Sequence, residues 1–427
     1  MAMSDTIYAL SSGALPAGVA VIRVSGPRSM GIVGQLTGAT GLPPPRTAML
    51  RSIFDANSAQ VIDNALVIAF PGPASFTGED VVEIHCHGSI AVVSAVQQAL
   101  SRFGARPAEA GEFTRRAFES GRIDLTQAEA LADLIEAETE AQREQALSQA
   151  GGRLRDLAEQ WRDHLVTLMA DLESDLDFSD EADVSETGSA HISEGIATLA
   201  RAIRQALEGA PLAERIRHGL TIAITGAPNV GKSSLLNALA KRDVAIVSPY
   251  AGTTRDVLEV HLDLDGRAAI LLDTAGVRAT NDPVEAEGIA RARVRAGAAD
   301  LVLSIGRGPD DLIVNKIDET GEEAGWRDGK LFLSAKNGAG LEVLEAWLKQ
   351  WAAHQVPRGE PPVVTSARQA HRLTETLACL VEAQQESDPV LVAESLRGAA
   401  HALGRLTGRI DPETILGAIF SRFCIGK

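Results

Sequence analysis

Residues 226–233 read Gly-Ala-Pro-Asn-Val-Gly-Lys-Ser, and the segments on either side of them decide the fold. The preceding run, 220–225 (LTIAIT), is apolar and rich in β-branched residues, as expected for a buried parallel strand. The following Ser-Ser-Leu-Leu-Asn-Ala-Leu, 233–239, has the spacing of a helix. A glycine-rich turn between strand and helix aims backbone N–H groups and the positive helix end at phosphate oxygens. Gly226 and Gly231 permit the turn, and Asn229, Val230 and Ser234 line it. Lys232 is expected to reach the β- and γ-phosphates, with the Ser233 hydroxyl on Mg²⁺.

Further pieces follow in order: Gly-Thr-Thr at 252–254, Asp-Thr-Ala-Gly at 273–276, Asn-Lys-Ile-Asp at 315–318 and Ser-Ala-Lys at 334–336. Asp273 ends an apolar run and is expected to hold Mg²⁺ through water. Thr274 and Ala275 lead to Gly276, whose N–H should face the γ-phosphate. Thr254 is the candidate switch threonine that closes on Mg²⁺, and Ser248 and Thr253 belong to the same nucleotide-facing segment. Asp318 explains a preference for guanine. A carboxylate is acceptor-only and meets the N1–H and N2 amine donors of guanine, whereas adenine would leave it unpaired. Asn315 and Lys316 should buttress the base, and Ser334, Ala335 and Lys336 should add backbone and stem contacts.

The residue after Asp-Thr-Ala-Gly is Val277, where Ras-like enzymes carry a water-orienting glutamine. Glu285, Arg255, Arg278 and a cation held by Asn229 are the nearby substitutes, and the residues alone leave the choice open.

The remaining chain frames this unit. A length of 427 residues suggests about three domains. Residues 1–120 mix β-rich runs (19–24, 65–70, 81–85) with a helix near 91–103, an α/β pattern. Segment 121–213 turns helical. Leu154, Leu157, Trp161, Leu165, Leu168 and Leu172 mark one amphipathic helix, and Ile192, Ile196, Leu199, Ile203 and Leu207 a second. The nucleotide unit occupies 214–357, and Pro357-Arg-Gly-Glu-Pro-Pro362 reads as a linker. Segment 358–427 is helical again, with Leu373, Leu377, Leu380 and Val381 on one face. The fold class expected is therefore multidomain α/β and all-α, with a Ras-like P-loop domain inserted into a helical bundle.

A formal net charge of −17 argues against a chain coated for nucleic acid. Any RNA contact needs a local patch, for which Arg397, Arg405 and Arg409 are candidates beside their plainer role on a solvated helix face. Three scattered cysteines give no disulfide framework, and the first residues carry no apolar leader, so a cytoplasmic protein is expected.

Nearly end to end, the chain resembles the MnmE (TrmE) family of bacterial and organellar tRNA-modification GTPases. Three regions carry the likeness besides the nucleotide motifs: Phe76-Thr-Gly-Glu-Asp80 with Val-Val-Glu83, Arg115-Arg-Ala-Phe118 with Asp124-Leu-Thr-Gln-Ala-Glu-Ala130, and the tail Cys424-Ile-Gly-Lys427. The resemblance implies a homodimer, paired through the N-terminal domain, that works with a separate FAD protein, MnmG. Together they would place an aminomethyl or carboxymethylaminomethyl group on carbon 5 of the wobble uridine of certain tRNAs. A tetrahydrofolate derivative on the N-terminal domain would supply the one-carbon unit, held at Arg23, Glu83, Arg122 and Lys427. A pterin edge suits a carboxylate such as Glu83, and the folate glutamate tail suits Arg23 or Lys427. The resemblance further implies a potassium ion in place of an arginine finger, ligated by Asn229 with Ser248, Tyr250 and Thr253, and a water oriented by Glu285. It brings Cys424 toward the modification chemistry as nucleophile, redox group or positioning residue.

Two features sit beside that pattern. His85-Cys86-His87 has metal-ligand residue types, yet adjacent strand residues point to alternating faces, so a strand end beside the folate pocket is expected instead. Only 42 positions separate Asp273 from Asn315, and 306–311 allows little more than a turn. Either a helix is missing from one face of the sheet or the strands are joined unusually. A second function class, an RNA-binding ribosome-assembly GTPase acting only as a switch, predicts a basic C-terminal RNA module such as a KH domain.

Overall fold

The computed structural model describes residues 5–38, 41, 43–55, 58–177, 186–246, 259–273, 297–410, 419, 423 and 426, without the side chains of 176–177 and 186–189. The chain forms two compact units, Met1–Ala132 with His401–Lys427, and Asp133–Ala400.

The first unit contains β1 (Ile7–Leu10), β2 (Ala17–Ser25), α1 (Ser29–Leu36), β3 (Met49–Phe54), β4 (Val61–Phe70), β5 (Val81–Gly88), α2 (Ile90–Arg102), β6 (Arg106–Pro107), α3 (Glu112–Glu119) and the start of α4 (Leu125–Glu136). Its sheet runs β3-β4-β5-β2-β1-β6, antiparallel except for the β1–β6 pair. The alternation of β5 shows how the core is chosen. Val82, Ile84 and Cys86 point into a core shared with Ile32 and Val33 of α1 and Val96 and Leu100 of α2. Glu83, His85 and His87 therefore take the opposite face. Burial pushes the Cys86 thiol up to about 11, with the charge of Asp63 adding to the effect. His85 pairs with Glu83 and His87 with Asp63. No metal-holding group of His, Cys, Asp and Glu exists among the described residues.

The second unit begins within α4 and continues through α5 (Glu140–Ala150), α6 (Arg153–Asp177), α7 (Glu186–Glu208), α8 (Ala210–His218), β7 (Leu220–Gly226), α9 (Lys232–Leu239), β8 (Glu259–Asp263), β9 (Ala268–Asp273), β10 (Leu301–Ile305), β11 (Ile313–Val314), α10 (Ile317–Thr320), β12 (Gly325–Arg327), β13 (Lys330–Phe332), α11 (Leu341–Gln355) and α12 (Ala367–Gln385). It ends within α13 (Pro389–Thr407). The amphipathic spacing read from the sequence becomes a packed bundle, with α7 against both α6 and α12. Leu154, Leu165, Leu168, Ile196, Ile203, Leu373 and Leu380 are buried, each contributing roughly 1.5–3 kcal/mol by transfer from water. Gly195 makes the α6–α7 approach possible, since a Cβ there would lie 2.5 Å from Leu168 Cδ2.

The sheet of this unit is ordered β12-β13-β11-β10-β7-β9-β8, with the antiparallel pairs at its two edges. β7 lies between β10 and β9, with Ile222 opposite Leu301 on one side and Leu271 on the other, and Ile222, Ala223 and Ile224 are buried. β10 and β11 are parallel neighbours joined by residues 306–312 alone, with no helix between them. Parallel strands ordinarily need a crossover of about a dozen residues or more. Here the loop turns straight back: Gly306 N–H donates to the Ile313 carbonyl and Leu312 N–H to the Ser304 carbonyl. Asp311 fastens it by accepting from Gly308 N–H at 2.7 Å. Both sequence alternatives meet here: no crossover helix joins the two strands, and the parallel pair is connected directly by a short loop. Among the described residues, no helix is long and apolar enough to cross a membrane.

Candidate functional site

The loop after β7 owes its path to two glycines. A Cβ on Gly226 would lie 2.2 Å from the Ile305 carbonyl oxygen, and one on Gly231 would lie 2.2 Å from Asn315 Nδ2. Both have left-handed φ, 143° and 100°, and Asn229 between them has φ 64°. Alternating handedness of this kind turns successive N–H groups toward one concavity. Lys232 begins α9 and is buried, its Nζ donating to the carbonyls of Gly226 and Ala227 at 2.8 Å each.

Ser233 Oγ donates to Asp273 Oδ2 at 2.7 Å. Two hard oxygen donors so placed suit Mg²⁺, which binds through one or two protein oxygens and completes its shell with phosphate and water. β9 carries Asp273 there because it runs parallel to β7, pairing Asp273 with Ile224.

Asn315, after β11, ties three motifs together. Its Nδ2 donates to the Val230 carbonyl at 3.0 Å, and its Oδ1 accepts from Ala335 N–H at 3.0 Å. Lys316 adopts φ 68°, which turns the chain so that Asp318 faces the 334–336 segment. Ser334 Oγ donates to Asp318 Oδ1 at 2.5 Å, and Lys336 Nζ lies 3.9 Å from Oδ2. The Ser334 hydrogen bond, with the charges of Lys336 and Lys316, holds the Asp318 carboxyl below its usual range and keeps it an acceptor. Ser248, Tyr250, Thr253, Thr254, Thr274, Ala275, Gly276, Val277 and Glu285 lie outside the described residues, as do Cys424 and Lys427.

In the first unit, Arg23 and Glu83 stand opposite one another on β2 and β5. Arg23 Nη2 and Nε donate to Glu83 Oε1 at 2.9 and 3.1 Å, and the guanidinium lies 5.8 Å from the ring centres of both Phe76 and Phe113. β1 pairs Ala9 with Arg23, and the next residue, Leu10, meets the tail. A Cβ on Gly426 would lie 2.1 Å from the Leu10 carbonyl oxygen, and Ser11 Oγ donates to the Gly426 carbonyl at 2.7 Å. Arg122 is exposed, with its stem beside Gly78.

The same unit contains a network that the sequence did not disclose. Arg116, 1% exposed, donates to Glu112 at 2.9 Å, Glu79 at 3.1 Å and Asp5 at 2.8 Å. Arg106 reaches the same Glu112 at 2.6 Å. Burial alone would raise the Glu112 carboxyl, but the hydrogen bonds from Arg106, Glu109 N–H and Arg116 outweigh it and hold it below the usual value. Glu79 and Arg116 belong to the Phe76–Asp80 and Arg115–Phe118 motifs, so part of that signature fastens a loop. Only the four-residue spacing of Glu112 and Arg116 is a local signal. Arg397, one of the RNA candidates, is engaged with Glu173 at 3.7 Å and Glu394 at 3.4 Å.

Residues 6–122 match the family model described as GTP-binding protein TrmE N-terminus, and residues 125–424 the MnmE helical domain. The chain is 48% identical to the tRNA modification GTPase MnmE of Rhodopseudomonas palustris strain BisB5, covering 99% of each chain. It is 46% identical to MnmE of Caulobacter vibrioides, covering 100% of each. Among solved structures, the G domain of the T. maritima FeoB iron transporter is matched over 31% of this chain and 98% of its own, at 26% identity and a TM-score of 0.20. Two family models spanning most of the chain, with relatives aligned from end to end, leave one conclusion: the chain belongs to the MnmE family of tRNA modification GTPases.

Proposed function

We propose that this enzyme hydrolyses GTP with Mg²⁺ at Ser233, held by Asp273 through water, and potassium at Asn229, as one half of a cytoplasmic tRNA-modifying system. The observation that carries the nucleotide assignment is Asn315, whose amide joins the phosphate loop at Val230 to the base segment at Ala335. That bond fixes the distance between phosphate and base recognition. Lys232 and the loop N–H groups hold the phosphates, and Asp318 selects guanine. Potassium, when bound, supplies the transition-state charge that an arginine supplies elsewhere. Asn229 has the amide oxygen to ligate it, joined by Ser248, Tyr250 and Thr253. Thr254 closes on Mg²⁺ and Glu285 orients the water.

The domain assignment is 1–120 for folate binding and dimerisation, 214–357 for GTP, and 121–213 with 358–427 for the helical scaffold. Arg23 and Glu83, with Arg122 and Lys427, form the tetrahydrofolate site. Gly426 seated against Leu10 on β1, one residue from the partner of Arg23 on β2, supports that grouping. Cys424 takes part in the modification chemistry, and MnmG brings the flavin to the homodimer's tRNA. The ribosome-assembly alternative has less support, because α12 and α13 make the described part of the C-terminal segment helical.

GTP turnover measured in potassium and in sodium at equal ionic strength tests the cation. A drop of roughly 10³-fold in sodium is expected, the scale of a lost arginine finger. Equal rates would remove the cation from the mechanism. Mass spectrometry of wobble nucleosides from a deletion strain tests the pathway: the modified uridine should disappear.

A further inference from the structure

One segment of the second unit joins the nucleotide site directly to the helices. β9 delivers Asp273 to Ser233, and β8 begins at Glu259, five residues after Thr254. The far end of this pair is a two-residue turn, Asp265-Gly266, with φ 58° and 83° and a Leu264 N–H to Arg267 carbonyl bond of 2.8 Å. Turns with both central residues left-handed match the twist of the flanking strands and make a stiff ribbon.

The tip is held by the bundle. The Gly266 carbonyl accepts from Ala141 N–H at 3.0 Å, satisfying a first-turn donor of α5 that has no partner inside its own helix. Arg267, buried, donates Nε to the Val356 carbonyl at 2.7 Å and Nη1 to the Asp265 carbonyl at 3.0 Å. Val356 ends α11 and opens the linker to α12. Arg358 on that linker reaches Asp265 at 3.2 Å, and His261 on β8 meets Glu138 at 2.8 Å. A cleft of about 710 Å³, lined by Glu144, Asp263, Arg267, Pro357 and Pro361, lies beside the tip and leaves it room to shift.

We propose that the β8–β9 hairpin is a lever that transmits the nucleotide state to the helical bundle, acting through the Gly266 hold on α5 and the Arg267 hold on the linker. The inference rests on the assignment of the nucleotide site above. The antiparallel pair with its tight turn is stiff and β9 is bonded along β7 as well, so a shift of the pair against β7 at Asp273 is carried to Gly266. There it changes whether the Ala141 N–H is bonded.

Hydrogen exchange of the full chain, with GDP and Mg²⁺ or with a non-hydrolysable GTP analogue and Mg²⁺, reads this bond directly. In the wild type, the amides of 139–147 should exchange at least about fivefold differently between the two nucleotides. Arg267→Ala should reduce that difference below twofold, and Arg267→Gln, which keeps one donor and much of the bulk, should give an intermediate value if the alanine variant folds poorly. Protection of 226–233 by nucleotide should persist in both variants. Identical exchange of 139–147 with either nucleotide in the wild type would overturn the lever, as would a full difference surviving in both variants. Absence of protection at 226–233 in the wild type would sink the nucleotide site itself.

Discussion

In the phosphate loop the charge of Lys232 is held by two neutral backbone carbonyls, whereas around Arg116 each charge is held by an opposite charge. The first arrangement fixes an ammonium in place without neutralising it, so its field is available to phosphates. The second has already compensated itself and acts as a rivet. Arg23–Glu83 lies between the two: a half-buried ion pair whose carboxylate also meets His85 and whose guanidinium lies near Phe76 and Phe113. How a charge is paired thus separates recognition from scaffolding better than whether it is buried.

The sharpest break of the comparison is Lys232→Met, which keeps the stem and removes the charge. GTP affinity should fall about a thousandfold or more, near 4 kcal/mol, with the thermal transition unmoved; calorimetric titration measures it. Glu112→Gln tests the other side. Leaving Arg116 buried with less compensation should destabilise the first unit by about 3 kcal/mol with GTP binding intact, read by denaturant unfolding. Because the folded carboxyl of Glu112 lies below its unfolded value, its stabilisation is present above about pH 4.5 and is lost as pH falls through the folded value. The Gln variant should show a flatter acid limb than the wild type.

Asp318→Asn should lower GTP affinity about a hundredfold and shift preference toward xanthosine triphosphate, whose carbonyl replaces the N2 amine and accepts from an amide. Unchanged selectivity in competition binding would remove Asp318 from base recognition. The smallest effect is expected from Gly426→Ala. With φ 107° and the Leu10 oxygen in the way, the tail should detach at a cost of about 1–3 kcal/mol. Faster exchange at residues 8–11, with normal GTP turnover, would mark that separation.

What could be read beforehand follows the same division. The nucleotide motifs are contiguous, and each spacing states its own chemistry, so their order was legible residue by residue. The long helices were legible because Leu165, Leu168 and Leu172, then Ile192, Ile196 and Leu199, then Leu373, Leu377 and Leu380 each recur at helical spacing. The first unit was less so. β1 is four residues long, β3 is interrupted by Arg51 and Ser52, and α1 carries Gly31 and Gly34, each costing about 1 kcal/mol of helix propensity. Arg116 takes partners at 5, 79 and 112, a set that only the folded chain brings together. The Asn315 bridge lay between these cases: the residue was visible, but not that it bonds Val230 and Ala335 at once.

The seven-residue connection between β10 and β11 has a consequence for how the sheet is assembled. Closing a loop costs conformational entropy that grows with its length by about 0.6 kcal/mol per doubling, so this parallel pair is drawn together almost as cheaply as a hairpin. Strand pairs of low sequence separation form early. The β10–β11 pair can therefore form before either strand finds β7, which lies much farther away along the chain. Because Asp273 ends β9, on the far side of β7, and Asn315 follows β11, neither lies in the loop, which is a natural place to graft a helix or a reporter without replacing a nucleotide contact.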